Sequence, residues 1–224
     1  MPISLNFSKK EAKAVIEALK EFNELSISSE HQEKRWKIGN SGATLYKSGK
    51  LLIQGKDEEK VKEQILGLLS FSPEMVLGID ETGRGENFGS FVVAAVLADK
   101  NKMRELRDSK KIPDIGKAFE KVKKNAESFA SVSFSAASID SLRGKGKTMN
   151  EIQAEAVNKL IEMFAEKNPD VKIDGSPIKG IKGNPEFIVK GDDLNPVIGA
   201  ASVVAKFERD NSGDNAKRKS WRNS

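Results

Sequence analysis

Cysteine is absent from the 224 residues, which excludes disulfide frameworks, zinc–cysteine sites and thiol nucleophiles. Histidine occurs once, as His31. A Ser-His-Asp triad or a paired-histidine mechanism therefore lacks its material. Tyrosine also occurs once, as Tyr46. No apolar run approaches the ~18 residues of a membrane-spanning helix. The first residues lack the long apolar core of a signal peptide, so a reducing, cytoplasmic setting is expected. What the chain has is charge. Thirty-three Asp and Glu face 38 Lys and Arg, for a net +5 that permits a polyanionic partner without requiring one. Carboxylates thus become the leading candidates for chemistry. A hydrophobic fraction of 38% suffices for a sizeable core. The length suits one catalytic domain plus a small extension.

Charge divides the chain unevenly. Residues 1–70 carry 12 basic and 10 acidic side chains, residues 71–205 carry 20 of each, and residues 206–224 carry 6 and 3. Within the neutral middle, Lys100 to Lys124 holds ten basic residues against four acidic ones. A solvated helix face explains that segment as readily as a phosphate-binding surface does.

The first 70 residues predict a small α/β unit. Ser8 and Glu11 match a capping box before Val15, Ile16, Leu19 and Phe22 at helical spacing. Strand-like pieces follow at Trp36–Ile38, Ala43–Tyr46 and Leu51–Gln54, separated by Gly- and Ser-rich turns. A second helix, Glu58 to Leu69, closes the unit, with the junction at Ser70 to Pro73. Residues 71–210 then read as α/β with a mixed sheet. Its strands are expected at Met75–Asp80, Phe88–Leu97, Phe129–Ala137, Val171–Asp174 and Phe187–Val189. One helix is expected from Asn150 and another over Asn195–Arg209. Residues 211–224 read as a basic, flexible tail.

Three strand ends carry acids beside glycine. Asp80 and Glu81 close an apolar strand before the turn Gly83-Arg84-Gly85; Asp174 precedes Gly175; Asp192 follows Gly191. Strand ends are where α/β folds place functional groups. Adjacent side chains on a regular strand point to opposite faces, so Asp80 and Glu81 share a site only where the strand twists or ends. Glycines allow a close backbone approach to a ligand, and Arg84 offers a planar cation for a phosphate. Each acid alone also suits a turn or a cap. Four of them, in a domain with neither His nor Cys, match a hard-cation site for Mg²⁺ or Mn²⁺. Beside basic segments, such a site points to phosphoryl transfer or phosphodiester hydrolysis by two metals.

These residues resemble a known family, the type 2 ribonucleases H, comprising ribonucleases HII and HIII. The resemblance rests on Gly78 to Gly85, Asp108-Ser109-Lys110-Lys111, Ile173-Asp174-Gly175, Lys190-Gly191-Asp192 and Ala200 to Lys206, in the family's order over roughly residues 75–210. It implies an RNase H-like fold and endonucleolytic hydrolysis of the RNA strand in RNA–DNA hybrids, leaving 3′-hydroxyl and 5′-phosphate ends. It implies Asp80, Glu81, Asp174 and Asp192 as metal-binding, catalytic carboxylates, with Asp80 shared by two ions. Asp193 competes with Asp192 by a one-residue slip; Asp192 is preferred because it directly follows Lys190-Gly191. The turn Gly83-Arg84-Gly85 resembles the segment that contacts the ribose, and Lys110, Lys111, Ser202 and Lys206 resemble phosphate-contacting positions. A monomer is the default expectation.

The segment Ala43 to Gly55 is similar to ribonuclease HIII, in which a domain like one repeat of the TATA-binding protein precedes the catalytic domain and binds the hybrid. Asn87-Phe88-Gly89 and Met149-Asn150 lean the same way. Asp192 and Gly83-Arg84-Gly85 are the HII forms, whereas the junction-reading tyrosine of HII enzymes has no counterpart beyond Tyr46. The chain also has less C-terminal helix than either subtype. The resemblance is therefore HIII-like with a mixed catalytic signature. A hybrid-binding protein with a degenerate centre is the alternative.

Overall fold

Ser8 starts the first helix as its spacing predicts. Its hydroxyl accepts from the Glu11 amide at 3.3 Å, and its own amide donates to the Glu11 carboxylate at 2.7 Å. The computed structural model describes residues 2–69, 71–104 and 114–221. The chain divides into two units, Met1–Ser72 and Pro73–Ser224.

In the first unit the order is β1 (Ile3–Asn6), α1 (Lys9–Ala18), β2 (Asn23–Leu25), β3 (Gln32–Ile38), β4 (Ser41–Tyr46), β5 (Lys50–Gly55) and α2 (Glu58–Leu68). Among the described residues these strands form one antiparallel sheet in the order β1-β5-β4-β3-β2. The central meander matches the sequence pattern; β1 and β2 extend it at both edges. Neither edge was legible, because β1 is only four residues long and β2 reads Asn-Glu-Leu without alternation. Trp36, Ile38, Ala43, Leu45, Leu51 and Ile53 are buried with Val15, Leu19, Val61 and Ile65 of the two helices. Strand alternation turns Arg35, Lys37, Thr44, Tyr46, Leu52 and Gln54 to the other, more exposed face.

The second unit runs β6 (Met75–Thr82), β7 (Phe91–Asp99), α3 (Ile115–Asn125), β8 (Ser128–Phe134), α4 (Ala136–Gly144), α5 (Met149–Met163), β9 (Asp170–Asp174), β10 (Glu186–Ile188), α6 (Gly191–Leu194) and α7 (Pro196–Asn211). Its mixed sheet has the order β10-β9-β6-β7-β8. β6, β9 and β10 are parallel, while β7 and β8 are antiparallel to their neighbours. On one face α7 and α3 pack over Val76, Val92, Ala94 and Val96. There Phe119 stacks on Phe207 with centroids 3.9 Å apart and meets Phe129 edge-on at 5.5 Å. Such aromatic pairs add roughly 0.5–1.5 kcal/mol each beyond their burial. On the other face α5 covers Leu77, Ile79, Phe91, Val93 and Ile173 through Ile152, Ala156, Val157 and Leu160.

Three expectations are corrected here. Thr148, not Asn150, caps α5, through a capping box with Glu151. The expected strand Phe129–Ala137 stops at Phe134, because Ser135 caps α4 by accepting from the Ser138 amide. Residues 212–221, expected as part of a flexible tail, are hydrogen-bonded to the rest of the second unit. Arg218 is 1% exposed, and Asp140 accepts from the amides of Lys219 and Ser220, each at 2.8 Å. None of the described helices is long and apolar enough to cross a membrane.

Candidate active site

Parallel pairing brings the acids to one end of the sheet. Ile79 of β6 pairs with Ile173 of β9, so Asp80 and Asp174 emerge side by side just beyond that pair. β9 ends there, and its amide partner is the start of α6: Gly191 N donates to Asp174 Oδ1 at 2.5 Å. Lys190 adopts a left-handed backbone at φ 58° before α6. A non-glycine residue in that region costs roughly 1–3 kcal/mol. This sharp reversal delivers Asp192 back toward the sheet.

A depression of about 300 Å³ is lined by Asp80, Glu81, Thr82, Gly83, Arg84, Gly85, Asp174, Asp192, Ser202 and Lys206. All four expected carboxylates, the Gly83-Arg84-Gly85 turn, Ser202 and Lys206 thus meet at one place. Asp193, the alternative to Asp192, does not line it. Lys110 and Lys111 lie outside the described residues.

Alternation along β6 is kept, as the sequence requires. Asp80 faces α7 and is hydrogen-bonded to Ser202, while Glu81 faces α5 and is hydrogen-bonded to Gln153. The two meet in one depression because it straddles the end of the sheet rather than one face. Asp80 is 5% exposed and Asp192 3%. Burial pushes the Asp80 carboxyl well above the usual carboxylate range; Glu81 and then Asp174 push it further by repulsion, against the Ser202 hydrogen bond. Burial and then Asp174 likewise raise Glu81, opposed by Arg84 and Gln153.

These observations test whether a divalent cation suits the site. The donor set is all oxygen, and the Asp80 and Glu81 carboxyls are held from ionising by burial and by repulsion from neighbouring carboxylates, which a hard cation would offset. The residues fit the group. Among the described residues, however, no three acids or histidines are already gathered as a finished metal cage. Each carboxylate is engaged locally instead. Asp80 Oδ1 accepts from Glu81 N at 2.7 Å, and Asp192 Oδ1 from Asp193 N at 3.1 Å.

Sequence reasoning missed the supports on α5. Arg84 Nη2 donates to Asn150 Oδ1 at 2.5 Å, and Gln153, 2% exposed, serves Glu81. Asn150 and Gln153 are three apart on one helical face. The available signal was a glutamine beside the apolar stripe of Ile152 and Ala156. The Nε of Arg84 is buried with no hydrogen-bond partner among the described residues.

Comparison with known proteins sets the class first: the fold is that of ribonucleases H2 and H3. The Aquifex aeolicus RNase H3 crystal structure superposes with a TM-score of 0.53 at 25% identity, covering 92% of this chain and 83% of that one. Bst-RNase HIII in complex with Mn²⁺ gives 0.56 at 20% identity over 93% and 80%. The PCNA:RNase HII complex of Archaeoglobus fulgidus gives 0.53 at 28% identity over 61% and 73%. At the level of sequence, the family model for ribonuclease HII matches residues 77–223. The chain belongs to the ribonuclease HII family. Ribonuclease HII of Clostridium perfringens (strain 13 / Type A) is 33% identical over 188 residues, which cover 80% of this chain and 66% of that protein. Ribonuclease HII of Polynucleobacter asymbioticus is 36% identical over 138 residues, 60% of this chain and 70% of that protein.

Proposed function

We propose that this chain is an endoribonuclease that hydrolyses the RNA strand of RNA–DNA hybrids with two Mg²⁺ or Mn²⁺ ions, leaving 3′-hydroxyl and 5′-phosphate ends. The observation that carries this reading is the convergence of Asp80, Glu81, Asp174 and Asp192 on one depression beside the Gly83-Arg84-Gly85 turn. Family membership supports the ribonuclease activity.

Asp80, Glu81, Asp174 and Asp192 would hold the ions through their carboxylate oxygens. When bound, the ions supply Lewis acidity at the scissile phosphate. The chain's own residues do the rest. Ser202 and Gln153 hold Asp80 and Glu81 in orientation. Backbone groups of the glycine-flanked turn reach the 2′-hydroxyl, the group that separates RNA from DNA. Arg84, which lines the depression, provides a cation for the ribose–phosphate backbone. Lys206 and, outside the described residues, Lys110 and Lys111 neutralise phosphates.

The first unit is proposed as a TATA-binding-protein-like, HIII-type substrate-binding domain. Its open sheet face aligns Arg35, Thr44, Leu52 and Ser4 in one cross-strand row, next to Lys37. This mixture of cation, hydroxyl and apolar groups suits a nucleic-acid backbone.

A second reading is a hybrid-binding protein without catalysis, favoured by the lack of a finished metal cage among the described residues. Cleavage of two labelled substrates side by side, a long RNA–DNA hybrid and a DNA duplex with one ribonucleotide, separates these readings. The enzyme reading expects 5′-phosphate fragments from the long hybrid when Mg²⁺ or Mn²⁺ is added. Binding without fragments under either ion supports the second reading. Efficient cutting at the single ribonucleotide would move the subtype from HIII toward HII.

A further inference from the structure

The segment joining β6 to β7 leaves the sheet ladder at Thr82, whose pairing with Val92 is the last. Among the described residues, the segment beyond that point pairs only through an isolated antiparallel bridge between Phe88 and Lys217, and five of its carbonyls in succession are claimed by two arginines. Arg218 donates from Nη1 to Glu86 O at 2.8 Å, from its amide to Asn87 O at 2.8 Å, and from Nε to Gly89 O at 2.9 Å. Arg209 donates from Nη2 to Phe88 O at 3.5 Å and from Nε to Ser90 O at 3.0 Å. Arg209 also grips the Glu86 carboxylate, Nη1 to Oε1 at 3.0 Å and Nη2 to Oε2 at 2.5 Å. Only a guanidinium, with its rigid fork of donors, can serve several acceptors set at such angles.

The same arginines abut the turn itself. Gly83 has φ +79°, and a Cβ placed there would sit 2.3 Å from Ser90 O and 2.8 Å from Arg209 Nε. No other residue type leaves that space. The strap bearing Arg218 is itself pinned. Asp214 accepts from Ala136 N at 2.7 Å and Ser90 Oγ at 3.1 Å, while Asp140 accepts from Ser220 Oγ at 2.6 Å. Gly89 N donates to Ala216 O at 2.8 Å, and with the Arg218 amide on Asn87 O this makes a single antiparallel bridge between Phe88 and Lys217.

We propose that Arg209 and Arg218 are positioning residues: they lock Glu86–Ser90 and thereby fix the Gly83-Arg84-Gly85 turn over the carboxylates. The catalytic consequence rests on the ribonuclease reading above; the mechanical one does not. Neither arginine lies among the four carboxylates, so each acts through the turn.

The test uses the full chain and the variants Arg209→Lys and Arg218→Lys, which keep the charge and lose the fork. Hydrogen exchange followed by mass spectrometry should show residues 83–90 exchanging at least about tenfold faster, with Val76–Asp80 unchanged. On an RNA–DNA hybrid, kcat should fall about tenfold while KM moves less than about twofold, because a misplaced turn loses interactions made in the transition state. Should Arg218→Lys fail to fold, Asp214→Asn loosens the same strap from its half-buried anchor and should give the same local pattern. Three results overturn the proposal: unchanged exchange in 83–90, faster exchange throughout the catalytic unit in equal measure, or full kcat in the lysine variants. A wild-type chain that cuts no hybrid removes the ribonuclease reading, while the exchange data still decide whether the arginines hold the turn.

Discussion

Asp174 and Gly191 are joined by a hydrogen bond of 2.5 Å, in which the glycine amide donates to the carboxylate. A Cβ on Gly191 would stand 3.2 Å from that same oxygen and 2.7 Å from Ile198 Cδ1. The absence of a side chain at Gly191 therefore lets α6 close against the end of β9, and Asp192 follows one residue later. One acid thus helps to place the next.

Crowded carboxylates make a stability prediction. The folded-state pKa of Asp80 is raised, first by burial and then by Glu81, so its ionisation destabilises the metal-free fold as pH rises above the ordinary carboxylate value. Asp80→Asn is expected to melt higher than wild type in chelator at neutral pH, by about 2–4 °C for each kcal/mol relieved. Added Mn²⁺ should raise the wild-type melting temperature more than that of the variant. Thermal melts in both conditions check this; a variant less stable than wild type in chelator contradicts it.

The α5 supports should separate in kinetics. Gln153→Leu removes the hydrogen bond to Glu81, and loss of such an outer partner typically costs roughly 10–100-fold in activity or metal affinity. The same range is expected for kcat here, with KM little changed. Asn150→Ala frees Arg84 and should raise KM for the hybrid. Steady-state cleavage of both variants decides between these roles and a shared loss of folded protein.

Much of this was legible in the sequence, and the rest failed for identifiable reasons. Apolar β6 and β7 announced themselves by continuous hydrophobic runs, and the acids by their places at strand ends beside glycine. Adjacent Asp80 and Glu81 posed a conflict that one strand's geometry could not resolve; it took the end of the sheet, open to both faces, to reconcile them. The helix α3 read only as a basic stretch, since its buried Ala118, Phe119 and Val122 are outnumbered by lysines. The strap was misread because its hold depends on Asp140 and Asp214 accepting from backbone amides, which leaves no hydrophobic pattern to detect.

Surface charge should govern binding. Lys117, Lys121 and Lys124 lie along the exposed side of α3, and Arg35 and Lys37 on the open face of the first unit. Log affinity for a hybrid is expected to fall linearly with log salt, each lost phosphate contact reducing the slope by roughly 0.7–0.9. Arg35→Glu with Lys37→Glu should weaken binding far more than saturated turnover. Fluorescence anisotropy across a salt series measures the slope; a flat response removes these residues from the interface.

The strap carries its own pH dependence. Hydrogen bonds from the Ser220 hydroxyl and amide hold Asp140 below its ordinary value, and that from the Ala136 amide does the same for Asp214. A lowered folded-state pKa stabilises the fold above the unfolded value near 3.8, and that stability is lost as pH falls through the folded pKa. Asp140→Asn and Asp214→Asn should therefore be less stable than wild type at neutral pH, with the gap closing in acid. Denaturant unfolding at several pH values reads the gap directly.

The four carboxylates brought together by β6, β9 and α6 are proposed to bind the ions with which RNA paired to DNA is cleaved. Titration of Mn²⁺ into wild type and Asp80→Asn, each with an end-labelled hybrid, tests this most directly. Wild type should yield 5′-phosphate fragments only once the ion is present, and Asp80→Asn should bind the hybrid yet cut it more than about a hundredfold more slowly, exceeding the cost of losing a mere outer partner. Undiminished cleavage by Asp80→Asn, or cleavage by wild type in excess chelator, would show that these carboxylates do not serve as the metal site.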